Sequence, residues 1–328
     1  MYLQELNRCK LCHWNCNVNR LKGERGFCRI GVPEIAYTSL TPVLKTYSIT
    51  FLGCSFRCIY CNAYRISQYP DSGWMYRGFI DAENIVYEAL EAIKSSLAKD
   101  IGVKNISFTG GEPSINLPYL ELIARIIKEN LPEIGVGLAT NGFSTLKTLK
   151  RMERFSSYIN FEIKAFDEEL HQAITGAPSG PVLDNVQWLA MNHPDKVRVF
   201  RTVVIPGIND LEVPKIANFI KDIDPKLPYR LVGFRPHFLL YYYPGPSRKF
   251  MQKLVNKCKD LGLENVDYSG FYPGGTIKSF SSNIGALKKA YYVLNQVGCY
   301  NRPRICGNCP ENESCSAILR EPWTSKSC

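Results

Sequence analysis

The chain has 328 residues, 45% hydrophobic and 21% charged, with 13 cysteines and a formal charge of +10. That length buries a full core and fits one large α/β domain with appendages, and the ordinary hydrophobic content excludes a disordered chain. No apolar run is long enough to span a bilayer, and the opening MYLQELNRCKLCHW lacks the apolar stretch of a signal peptide, so a cytoplasmic location with no membrane partner is expected.

Cysteine content divides the chain into three regions. Residues 1–45 carry Cys9, Cys12, Cys16 and Cys28. Residues 46–270 carry Cys54, Cys58, Cys61 and Cys258, and residues 271–328 carry Cys299, Cys306, Cys309, Cys315 and Cys328. Tight cysteine groups in a chain without an export signal bind metal more often than they pair as disulfides.

The middle region alternates strand and helix patterns in chain order. TYSITFL (46–52) is a β-rich run, and 81–99 has helical apolar spacing behind Asp81 as a cap. Strands follow at 105–108, 134–140, 158–166, 197–205 and 229–234. Between and after them, helices are expected at 117–130, 144–152, 182–192, 212–222 and 247–262. Strict alternation calls for parallel strands with crossover helices. About six such units are fewer than the eight of a closed barrel. The expected fold is therefore α/β, a partial (β/α)6 TIM-like barrel with N- and C-terminal cysteine-rich extensions. Its site should lie at the C-terminal ends of the strands. The segments 65–80 and 235–247 are candidate substrate-facing loops.

Directly after the first of these strands, Cys54 to Cys61 has the spacing C-x3-C-x2-C. Three thiolates on one loop can hold three corners of a cubane cluster and leave the fourth iron open. An open position is what a catalytic metal needs. A zinc site or free thiols is the plainer alternative. Gly110-Gly111-Glu112-Pro113 follows the next strand, where the glycines permit close backbone approach to a ligand. Thr140-Asn141-Gly142 closes the third, and Asn-Gly alone is also an ordinary turn. Glu162 and Lys164 share a face at strand period at the end of the fourth. Charges facing a barrel mouth are costly unless they are used.

This constellation resembles the radical S-adenosylmethionine (SAM) superfamily. The resemblance implies that SAM chelates the open iron through its amino and carboxylate groups. Reductive cleavage then gives a 5′-deoxyadenosyl radical that abstracts hydrogen from a substrate. It implies a [4Fe–4S] cluster at Cys54, Cys58 and Cys61. The SAM contacts it implies are Tyr60, Gly110, Gly111, Glu112, Thr140, Asn141, Glu162, Lys164, Arg201, Ile205 and Asn209, with Glu112 accepting from the SAM ammonium and Arg201 fixing its carboxylate. A reductase, ferredoxin or flavodoxin is implied as electron donor. The stretches EIKAFDEELHQAITGAPSGPVLDNV and VVIPGINDLEV are similar to the pyruvate formate-lyase activating enzyme branch. Activases of that branch with additional clusters insert cysteines after the radical motif, and none lies between Cys61 and Asp81 here.

The outer cysteines suggest further centres. Cys9, Cys12, Cys16 and Cys28 give four ligands within twenty residues, a closed structural or relay site. Cys306-x2-Cys309-x5-Cys315 resembles the core of SPASM-type auxiliary domains, with Cys328 as fourth ligand and Cys299 as its rival. Two auxiliary [4Fe–4S] clusters are expected, with zinc as the alternative in each. If three clusters bind eleven thiolates, the holo charge falls to about +5. The basic balance thus permits RNA without demanding it, and no DNA partner is expected. The expected function is hydrogen abstraction from a protein or peptide side chain. Glycyl-radical-enzyme activation and RNA modification are its rivals, and a non-enzymatic iron–sulfur carrier would cleave no SAM.

Overall fold

The structure, a computed structural model, describes residues 2–70 and 75–272. The expected third cysteine group, with Cys299, Cys306, Cys309, Cys315 and Cys328, lies outside the described residues. Among those residues one sheet runs in chain order from β1 to β8. Its strands are β1 (Ile35–Thr41), β2 (Thr46–Phe51), β3 (Asn105–Gly110), β4 (Gly135–Thr140), β5 (Tyr158–Glu162), β6 (Val197–Val204), β7 (Tyr229–Gly233) and β8 (Val266–Ser269). From β2 to β8 every neighbouring pair is parallel. Strand β1 runs antiparallel along β2. The sheet does not close, as a partial barrel requires.

The helices are α1 (Tyr64–Ser67), α2 (Ala82–Lys94), α3 (Ser96–Ile101), α4 (Leu117–Asn130), α5 (Leu146–Phe155), α6 (Glu168–Thr175), α7 (Gly180–Asn192), α8 (Glu212–Ile223) and α9 (Arg248–Asp260). The longer ones cover the strands because each carries an apolar stripe. In α4 that stripe includes Leu120, Ile123, Ala124 and Ile127, all buried. Strand β2 is buried at every residue, as a parallel strand covered on both faces should be. No helix among the described residues is long and apolar enough to cross a membrane.

The expected six units correspond to β2 through β7 with their helices. The structure adds β8 after α9, and β1 ahead of the barrel, so the sheet begins inside the first 45 residues. The single helix expected at 81–99 is two helices. At Ser95 the backbone is extended, with ψ of 153°. Its hydroxyl donates to Ala92 O at 2.6 Å and accepts from Ala98 N at 3.2 Å, ending α2 and capping α3 together. Asp81 sits at the N-cap of α2, yet its side chain makes no cap hydrogen bond. The strand expected to run to 166 stops at Glu162, and Asp167 caps the short helix α6 through Leu170 N at 3.0 Å. Such caps are each worth about 1 kcal/mol.

Candidate functional site

Strands β2 to β6 deliver their C-terminal ends to one cavity of about 210 Å³. Cys54, Cys58 and Cys61 line it, from the loop that follows β2. Gly110, Gly111 and Glu112 enter from the end of β3, Thr140 and Asn141 from β4, Glu162 and Lys164 from β5, and Arg201 from β6. Tyr60, Ile205 and Asn209 do not line it. Asn209 instead ties the turn after β6 together. Its Nδ2 donates to Lys164 O at 3.1 Å and Val203 O at 2.8 Å, and its Oδ1 accepts from Ile205 N at 2.8 Å. Tyr60 is buried, and its hydroxyl has no hydrogen-bond partner.

The glycine turn lies against the cysteine loop. Gly111 N donates to Phe51 O at 3.0 Å, and Glu112 N donates to Gly53 O at 2.9 Å. A methyl group on Gly111 would stand 1.8 Å from Gly53 O, so only glycine fits this approach. Glu112 is 1% exposed, and its carboxylate is engaged inside the protein. Oε1 accepts from Ser114 N at 3.0 Å and Thr140 Oγ1 at 2.7 Å, and Oε2 accepts from Asn141 N at 2.7 Å. Burial raises its pKa, while the Asn141 and Ser114 amides and the Thr140 hydroxyl oppose the rise. Glu112 thus clamps the β3 turn to the β4 turn, a task the sequence did not disclose.

Asn141 extends that clamp to the cysteines. Its Nδ2 donates to Ser55 Oγ at 3.0 Å and points at Cys54 Sγ, 3.6 Å away.

In the same cavity, Glu162 accepts from two cations. Lys164 Nζ binds Oε2, and Arg201 Nη2 lies 2.7 Å from Oε1. Burial alone would raise the Glu162 carboxyl, but Lys164 and Arg201 outweigh it and hold it at about 2. Arg201 Nε remains buried without a hydrogen-bond partner. A triad with two cations on one carboxylate keeps a net positive charge beside the thiols, suited to an anionic ligand. Burial pushes the Cys58 thiol up to about 12, with Lys164 opposing, and raises Cys54 as well. Thiols so buried ionise only against a strong local cation, which is the service a metal centre provides.

Among the described residues no group of three or more His, Cys, Asp or Glu side chains is arranged to hold a single metal ion. The donor set suits a larger guest. It offers three thiols, a positive triad, a close-approach glycine turn and an unsatisfied polar atom on Arg201.

A second cavity of about 360 Å³ shares Asn62 and Ala63 with the first. Tyr37, Tyr64, Met75, His237, Phe238 and Tyr241 line it. Both segments expected to face substrate, 65–80 and 235–247, contribute to that wall.

The head cysteines gather separately. Cys9, Cys12, Cys16 and Cys28 are free thiols. Burial raises the Cys12 thiol well above its usual range, and Cys28, Cys16 and Cys9 add to that rise. Sequence reasoning passed over Arg57, Trp14 and Phe27, which join this head to the cysteine loop, and Arg20, which ties it to Ile115 and Asn116 after β3. Arg57 carried the one available clue, as a charged residue inside the C-x3-C spacing.

A family model described as the radical SAM superfamily matches residues 48–220. The uncharacterized protein MJ0808 of Methanocaldococcus jannaschii is 25% identical over 88% of both chains. The isethionate sulfite-lyase activating enzyme of Desulfovibrio desulfuricans is 28% identical, over 64% of this chain and 66% of its own length. Streptococcus suis SuiB shares the fold, with a TM-score of 0.51 and 14% identity, over 68% of this chain and 48% of SuiB. Family models that match across this much of a chain, on a sheet whose strand ends converge as described, place the protein: it is an enzyme of the radical SAM superfamily.

Proposed function

We propose that the enzyme abstracts a hydrogen atom from a protein or peptide side chain. Cys54, Cys58 and Cys61 would hold a [4Fe–4S] cluster, with SAM completing the fourth iron. The bound pair would supply a 5′-deoxyadenosyl radical on one-electron reduction. Arg201 and Lys164, with Glu162 between them, would seat the SAM carboxylate. The backbone of Gly110 and Gly111 would lie along the bound cofactor. Thr140 and Asn141 would border its ribose, with Glu112 holding their turn rigid. Tyr60, Ile205 and Asn209 would shape the adenine side from behind the wall.

The observation that carries this reading is the convergence of the three thiols, the glycine turn and the Glu162–Lys164–Arg201 triad on one cavity. The aromatic wall of the adjoining cavity supports a peptide, because Tyr and Phe rings grip side chains through large apolar faces. A ferredoxin- or flavodoxin-class donor would supply the electron. A second reading, activation of a glycyl-radical enzyme, draws on the D. desulfuricans relative, whose name describes an activating enzyme.

The test is anaerobic reconstitution followed by a dithionite-driven SAM cleavage assay. The wild-type protein should release 5′-deoxyadenosine and Cys54→Ala should release none. Continued production by Cys54→Ala would sink the assignment. Trapping of label from a deuterated peptide in the 5′-deoxyadenosine separates peptide modification from activation of a large glycyl-radical partner.

A further inference from the structure

We propose that Cys9, Cys12, Cys16 and Cys28 hold a second, closed iron–sulfur centre that passes single electrons to the Cys54 side of the active site through Phe27 and Arg57. This rests on the proposed cluster at Cys54, Cys58 and Cys61.

Four free thiols fall in a stretch of twenty residues, and the buried Arg20 and the Phe27 amide reach two of them, Cys9 and Cys16. The loop that carries them has no strand and only the short 3-10 helix Arg20–Lys22. Asn15 and Asn17 take left-handed backbone angles, with φ of 48° and 58°. Cys9 N donates to Val18 O at 3.0 Å and Asn17 N to Cys9 O at 2.9 Å, pinching the loop shut. The buried Arg20 lies 3.7 Å from Cys9 Sγ through Nη1. Its other donors reach Gly31 O at 2.6 Å, Ile115 O at 2.5 Å and Asn116 Oδ1 at 3.1 Å. A guanidinium with no carboxylate among these partners, set against a thiol, suits a group carrying net negative charge. Four thiolates around a +2 core form such a group.

A continuous run of hydrogen bonds joins this site to the catalytic loop. Phe27 N donates to Cys16 Sγ at 3.5 Å. Arg57 Nη2 donates to Phe27 O, and Arg57 Nη1 donates to Cys54 O at 3.0 Å. The Arg57 guanidinium also lies over the Phe27 ring, 4.6 Å from its centroid. Trp14 stacks on Phe27 at 4.3 Å and donates to Ser55 O at 2.7 Å. At Gly53, with φ of 77°, a side chain would meet Cys28 O at 2.8 Å. Phe27, Arg57 and Gly53 are all buried, and their contacts run from the head thiols to the catalytic loop. A purely structural ion needs no such contact with the reacting loop.

The step itself is a one-electron transfer. A low-potential one-electron protein donor is oxidised by one electron, the head centre is transiently reduced, and the same electron reduces the irons at Cys54, Cys58 and Cys61. No bond forms or breaks and no proton moves.

The experiment compares full-length anaerobic protein with the variant Cys12→Ser/Cys16→Ser and with Phe27→Leu, which keeps every thiol. The double variant should lose about four irons and four sulfides per chain relative to wild type, with zinc unchanged. It should also lose the spin–spin broadening of the dithionite-reduced electron paramagnetic resonance spectrum. Phe27→Leu should keep its iron, while reduced flavodoxin reduces the SAM-bound cluster more slowly than in wild type. Loss of one zinc and no iron, or an unchanged metal content, would overturn the centre. Unchanged flavodoxin kinetics in Phe27→Leu would overturn the relay. A Cys54→Ala/Cys58→Ala/Cys61→Ala variant separates the two readings. If it retains the irons that the head variant loses, yet wild type cleaves no SAM, the catalytic assignment fails and the head centre stands.

Discussion

Glu112→Gln separates a carboxylate that binds a cofactor from one that braces the site. The carboxylate receives three hydrogen bonds, two at Oε1 and one at Oε2, with 1% of the residue exposed. Glutamine has one carbonyl oxygen. Its best orientation keeps Ser114 N and Thr140 Oγ1 on that oxygen, and turns the amide nitrogen toward Asn141 N, which the carboxylate met at 2.7 Å. Two donors then face each other. Losing a hydrogen bond to an ionised acceptor costs about 1.5–3 kcal/mol, and the stranded donor adds about 1–3 kcal/mol. Removal of a buried charge offsets part of this, consistent with the raised pKa of Glu112. A net loss of about 2 kcal/mol is expected in SAM-free, reconstituted protein. Anaerobic urea denaturation reads it as a lower midpoint at constant slope. If Glu112→Gln leaves the SAM-free midpoint unchanged and only SAM binding collapses, the bracing role is wrong and the carboxylate belongs to the ligand.

The remaining predictions concern a buried histidine and the glycine turn. His171 is wholly buried, edge-on to Phe56 of the cysteine loop at 5.4 Å, and burial lowers its pKa to about 4. It is neutral in the fold but takes a proton when unfolded below its ordinary value, so stability falls as pH drops from 6.5 toward 4, by about 2 kcal/mol between pH 7 and 5. His171→Asn, whose amide can replace the Nδ1 contact to Ala177 O, should remove that slope in urea midpoints measured at the two pH values; a slope that survives points to other groups. Gly111→Ala should cost about 2–3 kcal/mol by overpacking against the Gly53 carbonyl and abolish SAM cleavage. A fully active alanine variant would show that the turn can move.

What the sequence discloses here follows the range of each interaction. The three catalytic-loop cysteines were visible because ligands on one loop need only local spacing. The cavity residues at Gly110, Thr140, Glu162 and Arg201 were visible through the family resemblance, and parallel strands, which carry their ends to one rim, explain why they meet. Glu112 was placed at the site, yet its partners Thr140 and Asn141 are 28 and 29 residues away, so its engagement with them is a tertiary fact. The break at Ser95 was hidden because serine fits a helix or a cap equally well until its neighbours are known. Strand β8 has only four residues, too few for alternation to stand out. The docking of the head rests on Trp14, Phe27 and Arg57, whose partners lie 30 to 41 residues away.

Arg57 has a consequence for how this protein can be cut and recombined. It is 2% exposed, and the Phe27 carbonyl and ring belong to the head. Deleting residues 1–34 would strip that face of a buried guanidinium and, at Ile115 and Asn116, the acceptors that Arg20 serves. Leaving a buried charge with fewer partners is among the costlier changes a fold can suffer. The barrel is therefore not a transplantable core with an optional appendage. A chimera that borrows the head from another protein must bring a Phe27 equivalent with it, and one that borrows the barrel must bring Arg57.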